Sequence, residues 1–154
     1  MSDYFKDINE IKFEGENSVN PLSFRFYDEN KIVMGKKMKD HLRFATCYWH
    51  SFTWPGLDPF GGSTFDRPWM TEGEPLKMAE MKLNEAFDFF KKIKTPFFCF
   101  HDRDISPEGT SYKETQKNFL HIIDLMESKM ESSNVKLLWG TANAFSHKRY
   151  MSGA

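Results

Sequence analysis

Apolar and polar positions follow two regimes along this chain. Through residues 1–41 they are mixed, with Gly15, Pro21 and Gly35 as breakers and Phe5, Ile8, Phe13, Leu22, Phe24 and Phe26 scattered among charges. That pattern predicts an irregular arm with at most short helical turns, carrying enough apolar surface to lie on another part of the molecule. The basic run Lys36, Lys37, Lys39 reads as a solvated helix face rather than a binding patch. From Leu42 onward the pattern becomes regular. Residues 42–49 are apolar and aromatic and predict a buried strand. Residues 51–74 form a long loop rich in Gly, Pro and aromatics, and a loop of that length in a compact domain is usually functional.

Pro75 suits the first position of a helix, where its missing N–H removes no bond. Leu76, Ala79, Leu83, Ala86, Phe87, Phe90 and Ile93 then recur at helical spacing, and Thr95-Pro96 stops the helix. Residues 97–101 predict a short strand of the fully buried kind. Ser111 and Glu114 have the spacing of a capping box. Phe119, Ile122, Ile123, Met126 and Met130 mark a second apolar helix face that ends at Ser132-Ser133-Asn134, and residues 135–139 predict a third buried strand. Strands alternating with helices imply a parallel sheet with right-handed crossovers. Three parallel strands with helices on one side leave an open edge and an uncovered face. A closed (β/α)₈ barrel needs ~250 residues. The expected fold class is therefore α/β, the first three strands and intervening helices of a TIM barrel, truncated. Residues 1–41 are the N-terminal arm and residues 42–154 the partial barrel domain.

Composition narrows the function classes. The 154 residues carry 22 acids against 21 bases, which removes the electrostatic case for a nucleic-acid or anionic-membrane partner. With 16 Phe, 5 Tyr and 4 Trp the chain has the means to bury a core. No apolar run reaches the ~18 residues of a membrane span, and the first residues are acidic where a signal peptide is basic. Cys47 and Cys99 are too few for a disulfide scaffold, so a reducing, cytoplasmic location is expected.

In parallel α/β folds chemistry collects beyond the carboxyl ends of the strands. His101-Asp102-Arg103-Asp104 stands directly after the second predicted strand. Histidine moves protons near neutral pH, and a carboxylate on one ring N–H fixes the tautomer and stabilises the charged ring. One turn brings His101 and Asp104 together, although a bare H-x-x-D is a weak pattern and a hydrogen-bonded strand-end histidine is the structural alternative. Trp49, Trp139, Thr141 and Phe145 cluster at the other strand ends, where aromatic faces pack on sugar C–H groups and a hydroxyl bonds a sugar oxygen. Ordinary rim packing explains each of them singly. Asp58-Pro59-Phe60-Gly61-Gly62 is a rigid turn presenting one ring, which either folds back on its own domain or enters a partner. Metal ligation within the chain is poorly supported. The five histidines are scattered, the cysteines lack C-x-x-C spacing, and Asp102, Asp104 and Glu108 read as a solvated turn. Gly61-Gly62 and Gly140 do not form a phosphate loop.

Ordered blocks along the chain resemble one family. They are Lys12-Phe13-Glu14-Gly15, Val33-Met34-Gly35-Lys36-Lys37-Met38, Leu42-Arg43-Phe44-Ala45, Tyr48-Trp49-His50 and Asp58-Pro59-Phe60-Gly61-Gly62. They continue with Cys99-Phe100-His101-Asp102-Arg103-Asp104, Leu137-Leu138-Trp139-Gly140-Thr141-Ala142-Asn143 and His147-Lys148-Arg149-Tyr150-Met151. Together they resemble the N-terminal part of a xylose isomerase of the longer subclass with an N-terminal arm. The resemblance implies a (β/α)₈ barrel that converts D-xylose to D-xylulose, and glucose to fructose, by ring opening and a metal-assisted 1,2-hydride shift. It implies that His101 helps open the ring and Asp104 orients its imidazole. By the same likeness Trp49, Trp139, Thr141 and Phe145 line the sugar pocket, and Phe60 enters the site of a neighbouring subunit in a homotetramer. Two divalent metal ions (Mg, Mn or Co) and an essential lysine belong to later strands, so the metal ligands lie outside this chain. The isolated chain is then inactive. Two other readings stay open: a non-catalytic remnant or interaction module that pairs its open sheet edge with another chain, and a related barrel with a different substrate.

Overall fold

The computed structural model describes residues 4–71, 73–144 and 150. The arm is more ordered than its polar pattern predicts. Strands β1 (Ile32–Val33) and β2 (Lys36–Lys37) pair antiparallel across a two-residue turn, followed by the short helix α1 (Met38–His41). Met34 and Gly35 both take positive φ, 49° and 80°, as such a hairpin turn requires, and Gly35 does so without a side-chain penalty. Lys36 and Lys37 therefore lie on a strand, and only Lys39 on a helix. The arm is tied to the body by ring contacts of Tyr4 with Trp69 and Phe5 with Phe89, and by polar contacts at Lys92 and Lys94. Ile11 N–H donates to the Lys92 carbonyl at 2.7 Å, Lys92 Nζ donates to the Ile8 carbonyl, and Lys94 Nζ bridges Glu10 at 3.0 Å and Glu29 at 2.8 Å.

The body is a parallel three-stranded sheet in the order β3 (Ala45–Cys47), β4 (Phe97–His101), β5 (Lys136–Thr141). Helix α2 (Pro75–Ile93) connects the first pair; the short α3 (Asp102–Ile105) and long α4 (Tyr112–Ser133) connect the second. Helix boundaries follow local chemistry. Pro75 opens α2, and the Glu74 carboxylate accepts the Leu76 and Lys77 N–H groups. Ser111 accepts the Glu114 N–H at the start of α4. Lys94 and Asn134, both left-handed, end the two helices. Among the described residues no helix is long and apolar enough to cross a membrane.

Two strand predictions are corrected. The first strand stops at Cys47, because Tyr48 turns helical and leads into a π-helical turn, Trp49–Thr53. That turn buries Phe52 against Phe89, Phe90 and Trp69, which an extended chain would not do. The third strand is shifted toward the C-terminus and is exposed along its length, since among the described residues it is an edge of the sheet.

The core fills the space between sheet and helices. Phe98 and Phe100 of β4 meet Phe87, Phe90, Leu83, Ile122 and Met126 from the two long helices. Phe87, Phe90 and Phe98 contact one another with ring centroids 5.3–5.4 Å apart. Full burial of each ring contributes about 1.5–3 kcal/mol. The register between β4 and β5 shifts after Phe98, which sets Trp139 opposite Cys99 and Thr141 opposite His101. An even register would have aligned Leu138 and Gly140 there, so the irregularity turns Trp139 to the face that carries His101.

Candidate functional site

Strand β4 ends at His101, and α3 begins at the next residue. Residues three apart across that junction meet because the helical turn folds Asp104 back over the strand end. Asp104 Oδ2 receives the His101 backbone N–H at 2.8 Å and lies 2.9 Å from His101 Nδ1. An ionised carboxylate offers only lone pairs, so Nδ1 is then the donor and carries the proton of the neutral ring, which leaves Nε2 as its acceptor nitrogen. The Asp104 side chain is 1% exposed and that of His101 18%, so the carboxylate is enclosed while the ring reaches the open face of the sheet.

Asp104 acts electrostatically on several neighbours. Burial pushes the Lys82 ammonium down to about 8, opposed by attraction to Asp104. The Tyr48 phenol is raised by burial and then by the same carboxylate. Cys99 is pushed up to about 11, first by burial, then by Cys47, and also by Asp104, which makes it a poor nucleophile at neutral pH. Both cysteines are free thiols. Cys99 is buried, Cys47 is half-buried, and His50 Nδ1 lies 3.3 Å from Cys47 Sγ.

The other predicted residues divide. Trp139 joins the pair, its ring edge-on to His101 with centroids 5.6 Å apart. Thr141 is the register partner of His101 on the neighbouring strand. Trp49 is half-buried on the turn after β3, one strand over from β4. Phe60 stands apart at 98% exposure, on a turn fixed by the Phe60 N–H donating to Asp58 Oδ1 at 2.7 Å. Phe145 lies outside the described residues. The Phe60 ring does not fold back onto the described residues of its own domain.

Sequence reasoning overlooked several polar residues at this end. The Asn143 N–H donates to Asp102 Oδ1 at 2.8 Å, which ties the segment after β5 to α3. Thr53 Oγ1 donates to the Asp104 carbonyl at 3.2 Å and receives Lys82 Nζ at 3.3 Å. The signal available for Lys82 was its place inside the apolar stripe of α2, between Ala79 and Ala86. Among the described residues no three or more His, Cys, Asp or Glu side chains gather where they could hold a metal ion.

The arrangement suits proton transfer beside an aromatic wall. No family model matches the chain. It is 58% identical over 154 residues to the xylose isomerase of Photobacterium profundum, covering 100% of this chain and 35% of that protein. To the xylose isomerase of Pseudoalteromonas atlantica it is 54% identical, covering 100% of this chain and 35% of the relative. To that of Salmonella paratyphi A it is 52% identical, covering 100% and 36%. The chain spans about a third of the length of the curated relatives it matches.

Proposed function

From its homology to part of xylose isomerase, we propose that this chain supplies the ring-opening pair of an enzyme that interconverts D-xylose and D-xylulose, and glucose and fructose. The observation that carries the reading is His101 held by buried Asp104 at the end of β4, with Trp139 beside it. In this reading His101 Nε2 takes the proton of the anomeric hydroxyl. The C1–O1 bond becomes a carbonyl as the C1–O5 bond breaks, and O5 receives a proton. Asp104 holds the reactive tautomer and stabilises the imidazolium. Trp139 and Trp49 flank the sugar, Thr141 hydrogen-bonds a hydroxyl, and Phe145 completes the wall.

The described residues do not gather into a metal site. The divalent ions (Mg, Mn or Co) would be held by residues outside this chain. The remaining strands of the barrel and the hydride shift belong to those same outside segments, so the isolated chain is inactive. Residues 1–41 form the arm and 42–154 the barrel portion, in a cytoplasmic homotetramer. Phe60 is the contact with the neighbouring subunit, supported by its full exposure on a pinned turn.

The test is His101→Gln in the intact protein. Turnover of the cyclic sugar is expected to fall about 10²–10⁴-fold, the usual contribution of a positioned acid–base group. The circular dichroism spectrum should be retained. Unchanged turnover on cyclic xylose with the fold intact would remove His101 from the reaction. No activity in the unsubstituted intact protein would favour the interaction-module reading, for which the bare edge of β5 is the supporting observation.

A further inference from the structure

Cys47 and Cys99 are the two thiols of the chain, and the ring-opening reading uses neither. The sheet pairs them. Cys47 of β3 is the register partner of Cys99 of β4, and paired positions of parallel strands send their side chains to the same face. Phe98 and Phe100 point to the helices, so Cys99, and Cys47 with it, belong to the face that carries His101 and Trp139. Neighbouring strands lie about 4.7–4.9 Å apart, inside the roughly 4.4–6.8 Å Cα separation of disulfide-bonded residues. Cys99 Sγ already reaches across to β3, donating to the Thr46 carbonyl at 3.9 Å.

The two thiols are unequal. Cys47 is half-buried, and the π-helical turn after it brings His50 Nδ1 to 3.3 Å from Cys47 Sγ, where the imidazole is placed to take the thiol proton. Cys99 is buried. Burial first, then the charge and hydrogen bond of Cys47, push its thiol up to about 11, so it is the poorer first nucleophile. Oxidation of Cys47 removes that neighbouring charge and leaves Cys99 beside an electrophilic sulfur, where proximity compensates for low reactivity.

We propose that Cys47 and Cys99 form a redox-active dithiol that reduces hydrogen peroxide and closes to a disulfide, with Cys47 as the attacking thiol and Cys99 as the resolving one. Cys47 Sγ gives its proton to His50 and attacks one peroxide oxygen. The O–O bond breaks, the departing hydroxide takes that proton as water, and Cys47 becomes a sulfenic acid. Cys99 Sγ then attacks the Cys47 sulfur, the S–O bond breaks, and the hydroxide leaves with the Cys99 proton as a second water. Two thiols lose two electrons and two protons, and one peroxide becomes two waters. The bridge holds Cys47 at a reversible level, short of the irreversible sulfinic acid, and an external thiol reopens it. The inference stands on the sheet register and the His50 contact and is independent of the ring-opening reading.

The test exposes the folded, intact protein to hydrogen peroxide, quenches with acid, and maps its peptides by mass spectrometry without reduction. The expected product is a cross-linked peptide joining Cys47 to Cys99, lighter by two hydrogens than the two thiol peptides together and split again by dithiothreitol. In Cys99→Ser the sulfenic acid at Cys47 should persist long enough to be captured by dimedone, and excess peroxide should carry it to sulfinic acid that dithiothreitol does not restore. In Cys47→Ser, Cys99 should stay unmodified over the same exposure. Two thiols left free in the unsubstituted protein overturn the proposal, as does sulfinic acid at Cys47 without any cross-link. A dimedone adduct at Cys99 in Cys47→Ser overturns the assignment of attacking and resolving thiols. The peptide map of the unsubstituted protein decides the central claim even if a variant fails to fold.

Discussion

The two faces of the sheet differ more than any two elements along the chain. Strand β4 alternates between them. Phe98 and Phe100 point to the helices and are sealed, whereas His101 on the opposite face remains partly open. The helix-covered face holds the aromatic core; the other presents Trp139 at 41% exposure beside His101. Apolar burial is nearly complete on one side and smaller on the other, so folding free energy is drawn mainly from the helix-covered side while the candidate site lies on the opposite one. Lys82 and Asp104 are exceptions that cross the divide. Lys82 on α2 reaches Thr53, and Asp104 is buried while its carboxylate meets His101.

Three substitutions grade that contrast. Phe90→Ala removes a fully buried ring that packs on Phe52, Phe87 and Phe98, and should destabilise by about 3–5 kcal/mol. A urea midpoint loss below about 1 kcal/mol would show that the helix-covered face is not the seat of stability. Gly140→Ala comes next. A Cβ there would stand 2.9 Å from the Phe100 ring, which is itself buried, so the ring or the edge strand must shift. The expected loss is about 1–3 kcal/mol, the scale of overpacking. A neutral result would mean that β5 yields easily and that the register opposite His101 is loosely held. Leu138→Ser is the smallest. At 55% exposure it should change the stability of this chain by no more than about 0.5 kcal/mol. A loss above 2 kcal/mol in the intact protein would show that the bare face is covered there by residues beyond the described ones.

The amino-acid pattern was sufficient for the elements whose cause is local. The stripe from Leu76 to Ile93 made α2, and Phe119 to Met130 made the apolar face of α4. Pro75, Ser111 and Asn134 marked their limits, because capping and left-handed termini depend on neighbours in sequence. The parallel β-α-β order and the H-x-x-D junction were legible for the same reason. Periodicity encodes burial along one element, and a three-residue spacing encodes one turn. The π-helical turn at Trp49–Thr53 was not legible, since it forms to bury Phe52 against residues from two distant segments. Nor was the irregular register after Phe98, which turns Trp139 toward His101, or the reach of Lys82 to Thr53 across 29 positions. The exposure of β5 also lay beyond the pattern, because an apolar run reads alike whether a neighbouring strand covers it or not. The sequence by itself determined the two long helices, the β-α-β order and the spacing that lets His101 and Asp104 meet. Tertiary structure alone decided which distant residues face one another, because register, edge position and the field around a buried charge arise only when distant segments pack.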